Sequence, residues 1–254
     1  MNLQMSVKEG SHQDQPNICK VIKVTPENRD INTLFLEASD EKFRHRVAGQ
    51  FASIMMMGPE GWSLPHSFSL SGAPEESSLR FTIKNVGKFT SVIPDLKPGT
   101  LVRCRGPFGV FCKDIDTRHA IILMAGGVGV APFLSVLRHF RYLKAGNRVT
   151  LFWVNRSIED VFCSDEIAAM TKELSLRVVY CLSREDNVKK YIRSEYPGIF
   201  YENGRLSYDI IKKFWIANDD AFYLCGPNPM MEAALTELGR LGVERQAVQL
   251  EKYA

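Results

Sequence analysis

Short apolar runs separated by turn residues fill the chain from residue 17 to residue 105. Runs of this length and spacing predict about six strands of an antiparallel sandwich or barrel. The predicted strands are 18–24, 33–38, 51–57, 66–71, 79–86 and 101–105. A single short helix is predicted over residues 90–96, with Thr90 as its cap.

After about residue 114 the pattern changes to strand, turn and helix in alternation. A continuous apolar run at 119–124 is typical of a strand buried in a parallel sheet, and Pro132 opens a helical stretch that ends at Leu143. This alternation predicts an α/β doubly wound parallel sheet with helices on both faces. Further strands are predicted at 149–154, 177–182, 221–224 and 248–250, and further helices at 165–174, 207–215 and 229–241.

Two domains therefore follow a tail: residues 1–16 are predicted to be a flexible tail, residues 17–113 a six-stranded antiparallel β-barrel, and residues 114–254 the α/β domain. The composition, 45% hydrophobic and 24% charged, is that of a soluble globular protein. The polar start lacks the apolar core of a signal peptide, and no apolar run is long enough to span a membrane.

Charge and cysteine content exclude several classes of protein. Residues 1–113 hold 14 Lys and Arg against 11 Asp and Glu, which accounts for the whole net charge of +3. That excess is too small to indicate nucleic-acid binding. Six cysteines without a close C-x-x-C pair argue against a zinc or iron–sulfur site, so no metal is expected. They favour reduced thiols and a cytoplasmic location.

A strand, a glycine turn and a proline-started helix follow one another at 121–132. Glycines let the backbone approach a ligand closely, and the amides at a helix start favour a pyrophosphate. The alternative is a tight turn with no ligand, and the spacing differs from G-x-G-x-x-G. The candidate residues are Gly126, Gly127, Val128, Gly129 and Pro132.

A second turn follows the strand predicted at 221–224. Cys225, Gly226 and Pro227 come at its carboxyl end, just outside which open α/β sheets bind their ligands. Cys225 is thereby placed where the reactive end of a cofactor could lie. The alternative is a small buried hydrophobic residue, which is how most free cysteines behave.

Two polar segments of the β-rich half are further candidates. One places an aromatic residue among hydroxyls, and the other places a glycine and a threonine at a helix start, where amides and a hydroxyl could bind phosphate. The alternatives are an edge strand and a hairpin leading into a helix cap. The candidate residues are His66, Ser67, Phe68, Ser69, Ile83, Lys84, Gly87, Lys88, Phe89 and Thr90.

Taken in order, these motifs resemble the ferredoxin–NADP reductase family, and the match runs from about residue 17 to residue 253. The motifs are H-S-F-S at 66–69, G-K-F-T at 87–90, G-P-F-G at 106–109, A-G-G-V-G-V-A-P at 125–132 and L-C-G-P-N-P at 224–229. The histidine at the start of the first motif is similar to the ferric-reductase style. The resemblance implies FAD in the barrel and NAD(P)H as cosubstrate in the α/β domain.

The resemblance also implies roles for individual residues. Ser69 would hydrogen-bond flavin N5, Cys225 would lie beside the nicotinamide, and Glu251 would help move the proton at N5. Tyr253 would shield the ring, Phe68 would lie beside it, and His66 stands where most members have an arginine for the FAD pyrophosphate. The implied activity is hydride transfer from nicotinamide to flavin N5, followed by electron transfer to a one-electron acceptor.

The nucleotide and the acceptor are less determined by the sequence. Asn155, Arg156, Ser183 and Arg184 follow the second and third strands of the α/β domain, and an arginine there could pair with a 2′-phosphate. They slightly favour NADPH and leave NADH open. The implied acceptor is a ferredoxin, a flavodoxin, a haem protein or a ferric species.

A basic cluster at 42–46 in the barrel half could dock an acidic protein acceptor, or it could be a solvated loop. Two alternatives to a free-standing reductase remain. They are an electron-transfer subunit and a flavin-binding regulatory module that is inactive without its partner, and a membrane redox partner would allow peripheral association.

Overall fold

The structure is a computed structural model that describes residues 17–37, 40–215 and 220–252. The predicted tail at 1–16, Ala38 at the end of a predicted strand, and Tyr253 lie outside the described residues. Seven antiparallel strands form the first half: β1 (Asn17–Pro26), β2 (Ile31–Glu37), β3 (Phe51–Gly58), β4 (Gly61–Trp62), β5 (His66–Ser69), β6 (Ser78–Lys84) and β7 (Leu101–Phe108).

The first half closes into a barrel. Its strands run in the order β4-β3-β7-β1-β2-β6, and β5 pairs with β3. A bridge between Leu70 and Phe81 joins the chain after β5 to β6, so the path returns on itself. Alternate residues of β6 point inward, and Leu79, Phe81 and Ile83 are buried in the barrel core. The predicted six-stranded barrel is confirmed, and the two-residue β4 is an addition to it.

The second half is a parallel sheet flanked by four described helices. The strands are β8 (Ala120–Gly126), β9 (Arg148–Asn155), β10 (Leu176–Leu182), β11 (Ile199–Asn203), β12 (Ala221–Gly226) and β13 (Val248–Lys252). The helices are α1 (Ala131–Leu143), α2 (Ser164–Glu173), α3 (Tyr208–Phe214) and α4 (Asn228–Arg240). The strand order is β11-β10-β9-β8-β12-β13, which confirms the predicted doubly wound α/β sheet.

Burial explains which elements the sequence pattern predicts. Every residue of β8 is buried, as its continuous apolar run requires. The pattern does not predict β11, because this five-residue strand is only half-buried and carries Glu202 and Asn203. The helix predicted over 90–96 is a 3₁₀-helix, Thr90–Asp95, with a proline inside it. The predicted boundary at residue 114 lies between β7 and β8.

Helix α1 binds the barrel to the sheet through buried polar side chains. Ser135 donates a hydrogen bond of 2.7 Å to the carbonyl of Gly72. Arg138, which is buried, donates to the carbonyl of Ser71 at 2.5 Å and to Glu166 at 2.6 Å. A buried guanidinium needs a carboxylate to balance its charge and oxygen acceptors for its N–H groups. Because both carbonyls come shortly after β5, these bonds fix the end of β5 relative to the sheet.

Candidate active site

Three predicted site residues meet where the barrel touches the sheet. Ser69 ends β5, Cys225 lies near the end of β12, and Glu251 lies on β13 in register with Cys225. The Ser69 hydroxyl donates a hydrogen bond of 3.1 Å to Glu251 Oε2, and Cys225 Sγ lies 4.0 Å from the same oxygen. We call these three residues the junction.

The junction disfavours a charged carboxyl. Burial raises the pKa of Glu251, and the hydrogen bond from Ser69 offsets only part of that rise. The Glu251 charge also acts on Cys112. Burial first, and then that charge, raise the pKa of the Cys112 thiol well above its usual range. Glu251 is therefore a carboxyl that holds its proton more readily than an exposed glutamate.

A cleft of about 680 Å³ opens from the junction over the barrel. Phe51, Phe68, Thr82 and Glu251 belong to its walls. The cleft holds further candidates from the sequence: His66, Ser67, Ser69, Ile83, Lys84 and Thr90. It therefore presents aromatic rings, hydroxyls and one half-buried carboxyl to a ligand.

Three rings stack at the outer wall of this cleft. The His66 imidazole stacks on the Phe89 ring with centroids 3.8 Å apart and 21° between planes. Phe68 lies 5.9 Å from Phe89 at 20°, so the rings are nearly parallel. This stack holds the His66 imidazole against an aromatic ring, a constraint that the sequence pattern does not show.

The loop at 86–90 is closed by one hydroxyl. The amides of Val86 and Gly87 donate to Thr90 Oγ1 at 2.9 and 3.0 Å, and the Thr90 hydroxyl donates to the carbonyl of Gly87 at 3.1 Å. The Gly87 amide is thus used inside the loop. Gly87, Lys88 and Phe89 line an open groove of about 860 Å³, which shares His66, Val86 and Thr90 with the cleft.

A second cleft, of about 450 Å³, lies at the carboxyl ends of the parallel strands, where α/β sheets bind ligands. Gly126, Gly127, Val128 and Pro227 line one end of it. Lys84 and Val128 line both clefts, so the two clefts adjoin. Five predicted candidates are not part of its described wall: Gly129, Pro132, Arg184, Cys225 and Gly226.

Two glycine turns pack directly on each other at this end. A Cβ on Gly129 would overlap the carbonyl of Cys225 and lie 2.8 Å from Gly226 Cα. A Cβ on Gly126 would lie 2.6 Å from Met230 Cε. Among the glycines of these two turns, Gly127, with φ of +53°, is the one at which a Cβ would meet nothing within 4 Å. Close backbone approach therefore explains Gly129, while Gly127 faces the cleft.

Trp153, which the motif search does not single out, holds this turn in place. Its indole nitrogen donates a hydrogen bond of 2.8 Å to the carbonyl of Gly127, and its ring is fully buried. Trp153 lies on β9, beside β8, so a strand neighbour fixes the turn that follows β8. Only the pairing of β9 with β8, which the sequence alone does not reveal, identifies Trp153 as part of the site.

Polar residues line the other end of the second cleft. Asn155 is 6% exposed, and neither atom of its side-chain amide has a hydrogen-bond partner among the described residues. Arg156 forms two hydrogen bonds of 2.8 Å with the carboxylate of Asp160. Ser183 and Arg205 complete this end. Arg205 follows β11, the strand that the sequence pattern misses, and it was therefore not a candidate.

The described residues contain no helix long and apolar enough to cross a bilayer. Nor do the described parts of the chain bring together a cluster of three or more His, Cys, Asp and Glu side chains suited to a metal ion. None of the six cysteines, all of which lie in the described ranges, forms a disulfide.

Comparison with known proteins identifies relatives of this chain. Residues 123–236 match the family model described as the oxidoreductase NAD-binding domain. The chain is 29% identical over 240 residues to the reductase component of propane 2-monooxygenase from Mycolicibacterium goodii, which covers 92% of this chain and 66% of that protein. It is 27% identical over 251 residues to ferredoxin–NADP reductase B from Sorangium cellulosum, covering 95% and 99% of the two chains.

A solved structure shows the same fold at low identity. The ferredoxin NADP⁺ reductase from Neisseria gonorrhoeae with bound FAD and NADP superposes with a TM-score of 0.75 and 18% identity, over 94% of this chain and 98% of that chain. The chain spans only 66% of the length of the Mycolicibacterium protein, so about a third of that relative has no counterpart here.

Proposed function

Since the chain belongs to the ferredoxin–NADP reductase-like FAD/NAD-binding oxidoreductases, we propose that it is an FAD-dependent NAD(P)H oxidoreductase. The observation that carries this proposal is the junction of Ser69, Cys225 and Glu251. Ser69 and Glu251 line the first cleft, and the second cleft adjoins the first through Lys84 and Val128. One reactive group in each cleft would then meet the other beside these three side chains. Such positioning is the main contribution a protein makes to hydride transfer.

The residues of the barrel fit a flavin. The cleft beside Phe68 and Ser69 is apolar with a few hydroxyls, and the adjoining groove at 86–90 extends it past a glycine and a threonine. FAD bound there would accept a hydride and release electrons one at a time to an acceptor. We propose residues 17–113 as the flavin domain and residues 114–254 as the nucleotide domain.

The junction would support this chemistry without reacting covalently. Ser69 would turn its hydroxyl proton from Glu251 toward a ring nitrogen, and Glu251 would hold or move a proton beside it, since burial raises its pKa. Cys225, fully buried at a strand end, would pack behind the wall of the nicotinamide site and exclude water from it. The orphaned amide of Asn155 supports nucleotide binding in the second cleft, because a buried amide without a partner calls for one.

The acceptor is proposed from charge and from the relatives. Matching proteins include a monooxygenase reductase component and a ferredoxin–NADP reductase, so we propose a protein electron acceptor such as a ferredoxin, a flavodoxin or a haem protein. Of the basic cluster, Arg46 is buried and donates to the carbonyls of Phe43 and Ala73, which leaves Lys42 and Arg44 exposed. Those two would steer an acidic partner. We also propose a cytoplasmic location, which six cysteines outside any disulfide support.

A second candidate function is an electron-transfer subunit. It is favoured by the match to a reductase component of which the chain spans only 66%. A subunit would bind flavin and accept a hydride, but it would pass electrons efficiently only to its own partner.

The experiment is an absorbance spectrum of the purified protein, followed without oxygen on addition of NADPH or NADH. We expect a flavin spectrum that bleaches with at least one nucleotide and returns when ferricyanide is added. Absence of bound flavin, even after incubation with FAD, would contradict both functions. Bleaching without turnover on small acceptors would favour the subunit.

A further inference from the structure

A small cavity lies between α2 and the end of the sheet that β10 and β11 form. Its volume is about 180 Å³, and no residue of its wall belongs to either cleft. We propose that this cavity binds a small aromatic carboxylate, a single ring with a hydroxyl at its inner end and the carboxylate at its outer end. The proposal concerns a separate site, so it does not depend on the proposed function.

The sheet separates this cavity from the second cleft. Successive side chains of a strand point to opposite faces of its sheet. On β10, Tyr180 packs with Ile167 and Met170 of α2, whereas Cys181 packs in the cluster that α3 and α4 cover. The cavity includes Tyr180 in its wall, and the second cleft includes Met230 of α4. The cavity therefore lies on the α2 side of the sheet, and the second cleft reaches the α4 side.

The cavity contains a buried hydroxyl without a partner. Tyr180 is 1% exposed, and its hydroxyl has no hydrogen-bond partner among the described residues. Burial raises the pKa of this phenol, so it keeps its proton and can donate it. A buried donor that lacks an acceptor is costly, and folded proteins retain few of them. The Tyr180 hydroxyl therefore indicates a ligand with an oxygen atom at the buried end of the cavity.

Aromatic rings form much of the cavity wall. Tyr180 and Tyr201 stack with centroids 5.3 Å apart and 27° between planes. Tyr191 lies 5.7 Å from Tyr201 at 45°, and Ile158 and Ile199 add aliphatic surface. Rings in such arrangements favour a flat aromatic ligand, and an apolar cavity of about 150 Å³ is enough for one benzene ring. The volume of about 180 Å³ thus leaves room for a single ring with small substituents.

The outer end of the cavity favours an anion. Arg193 and Lys190 are exposed residues of the wall, against one acidic residue of the described wall, Asp165. Lys190 lies 3.4 Å from the carboxylate of Glu185, whereas Arg193 forms no ion pair within the described ranges. The first turn of α2 also borders the cavity, and no side chain caps this helix start, which attracts anions. A carboxylate fits here, because a guanidinium binds it through two parallel hydrogen bonds.

The inner end is tested by calorimetric titration of the full-length protein with 4-hydroxybenzoate and with benzoate, which differ only in the hydroxyl. We expect the wild type to bind 4-hydroxybenzoate at least fivefold more tightly than benzoate, and Y180F should bring the two affinities within about twofold. The matched control is Y142F, which alters an exposed tyrosine outside the cavity wall and should keep the preference. Thermal unfolding of ligand-free Y180F should not fall below that of the wild type, because the lost hydroxyl has no described partner.

The outer end is tested with R193Q. This variant should bind both acids at least tenfold more weakly, because a charge-assisted pair is lost. R240Q, which alters an exposed arginine of α4 outside the cavity wall, is the matched control and should bind like the wild type.

Three results would overturn the inference: a wild type that binds neither acid at millimolar concentration, a Y180F protein that keeps the preference for 4-hydroxybenzoate, or an R193Q protein with unchanged affinities. The first of these would mean that the cavity holds only water. The flavin spectrum and its bleaching by nucleotide do not involve this cavity, so failure here would leave the proposed function intact.

Discussion

The glycine turn at 126–129 and the loop at 86–90 each border a cleft proposed to bind a phosphate group, yet different forces hold them. The turn in the α/β domain is held by contact: Gly129 touches the backbone of Cys225 and Gly226, and Trp153 bonds to Gly127. The barrel loop is held by hydrogen bonds, chiefly those of the Thr90 hydroxyl, and a Cβ on Gly87 would meet nothing within 4 Å.

This difference indicates how each segment responds to change. A turn held by close backbone contact cannot accept a larger side chain without moving its neighbour, here the strand end that carries Cys225. A loop held by hydrogen bonds accepts added bulk but fails when its acceptor is removed. The structural role of a glycine in a motif predicted to bind phosphate therefore depends on its surroundings.

The largest effect is expected for G129A. Its new Cβ would overlap the Cys225 carbonyl, so the free energy of unfolding should fall by about 3 kcal/mol. G146A is the control, because a Cβ on Gly146 would meet nothing within 4 Å and Gly146 has no left-handed φ. Denaturant unfolding measures both. A G129A protein as stable as G146A would show that contact does not hold this turn.

T90A should have the next largest effect. It removes the acceptor of the Val86 and Gly87 amides, so the unfolding free energy should fall by about 1.5 kcal/mol. FAD should dissociate about tenfold more readily, because the loop loses its shape. Fluorescence titration with FAD measures this. S91A, which removes only a bond from an exposed hydroxyl to the Lys88 carbonyl, is the control and should change little.

A smaller effect is expected at Glu251, where the two regions meet. Because burial raises its pKa in the folded protein, the carboxyl favours folding only while protonated, and that contribution is lost as pH rises above the usual glutamate value of 4.5. E251Q should therefore be more stable than the wild type at neutral pH, and the two should converge below pH 4.5. Unfolding curves across pH measure the difference, and an equal gap at every pH would contradict it.

The smallest effect is expected for G87A. Its Cβ would meet nothing within 4 Å, so the unfolding free energy should change by less than about 0.5 kcal/mol. The contrast with G129A tests the comparison directly, because the two substitutions are chemically identical. A large loss in G87A would mean that the barrel loop, too, is held by contact.

Much of the fold follows from the sequence because it depends on local pattern. The apolar run at 119–124 and the turn residues between short strands are enough to predict the barrel and the parallel sheet. The sequence pattern does not predict strand β11, because its five residues are half-buried and partly polar. It therefore does not predict Arg205 either, which only the order of the strands brings to the second cleft.

The site is harder to predict because distant contacts decide what a residue does. Arg156 carries the charge that a 2′-phosphate needs, but its pairing with Asp160 depends on a short 3₁₀ turn at Ile158–Asp160. Gly129 belongs to a motif that the sequence predicts to bind phosphate, yet its neighbours come from β12, nearly a hundred residues later. Ser69, Cys225 and Glu251 are brought together only when α1 fixes the barrel against the sheet.

The central claim is that the hydride passes at the junction of Ser69, Cys225 and Glu251. The most direct test is the rate of flavin reduction at saturating NADPH, followed by stopped-flow absorbance in the wild type, C225A and C181A. Cys181 is equally buried on β10 of the same sheet and away from the junction, so it is the matched control. The account predicts reduction at least tenfold slower in C225A, with nucleotide affinity little changed and C181A close to the wild type. Equal rates in all three proteins would contradict it.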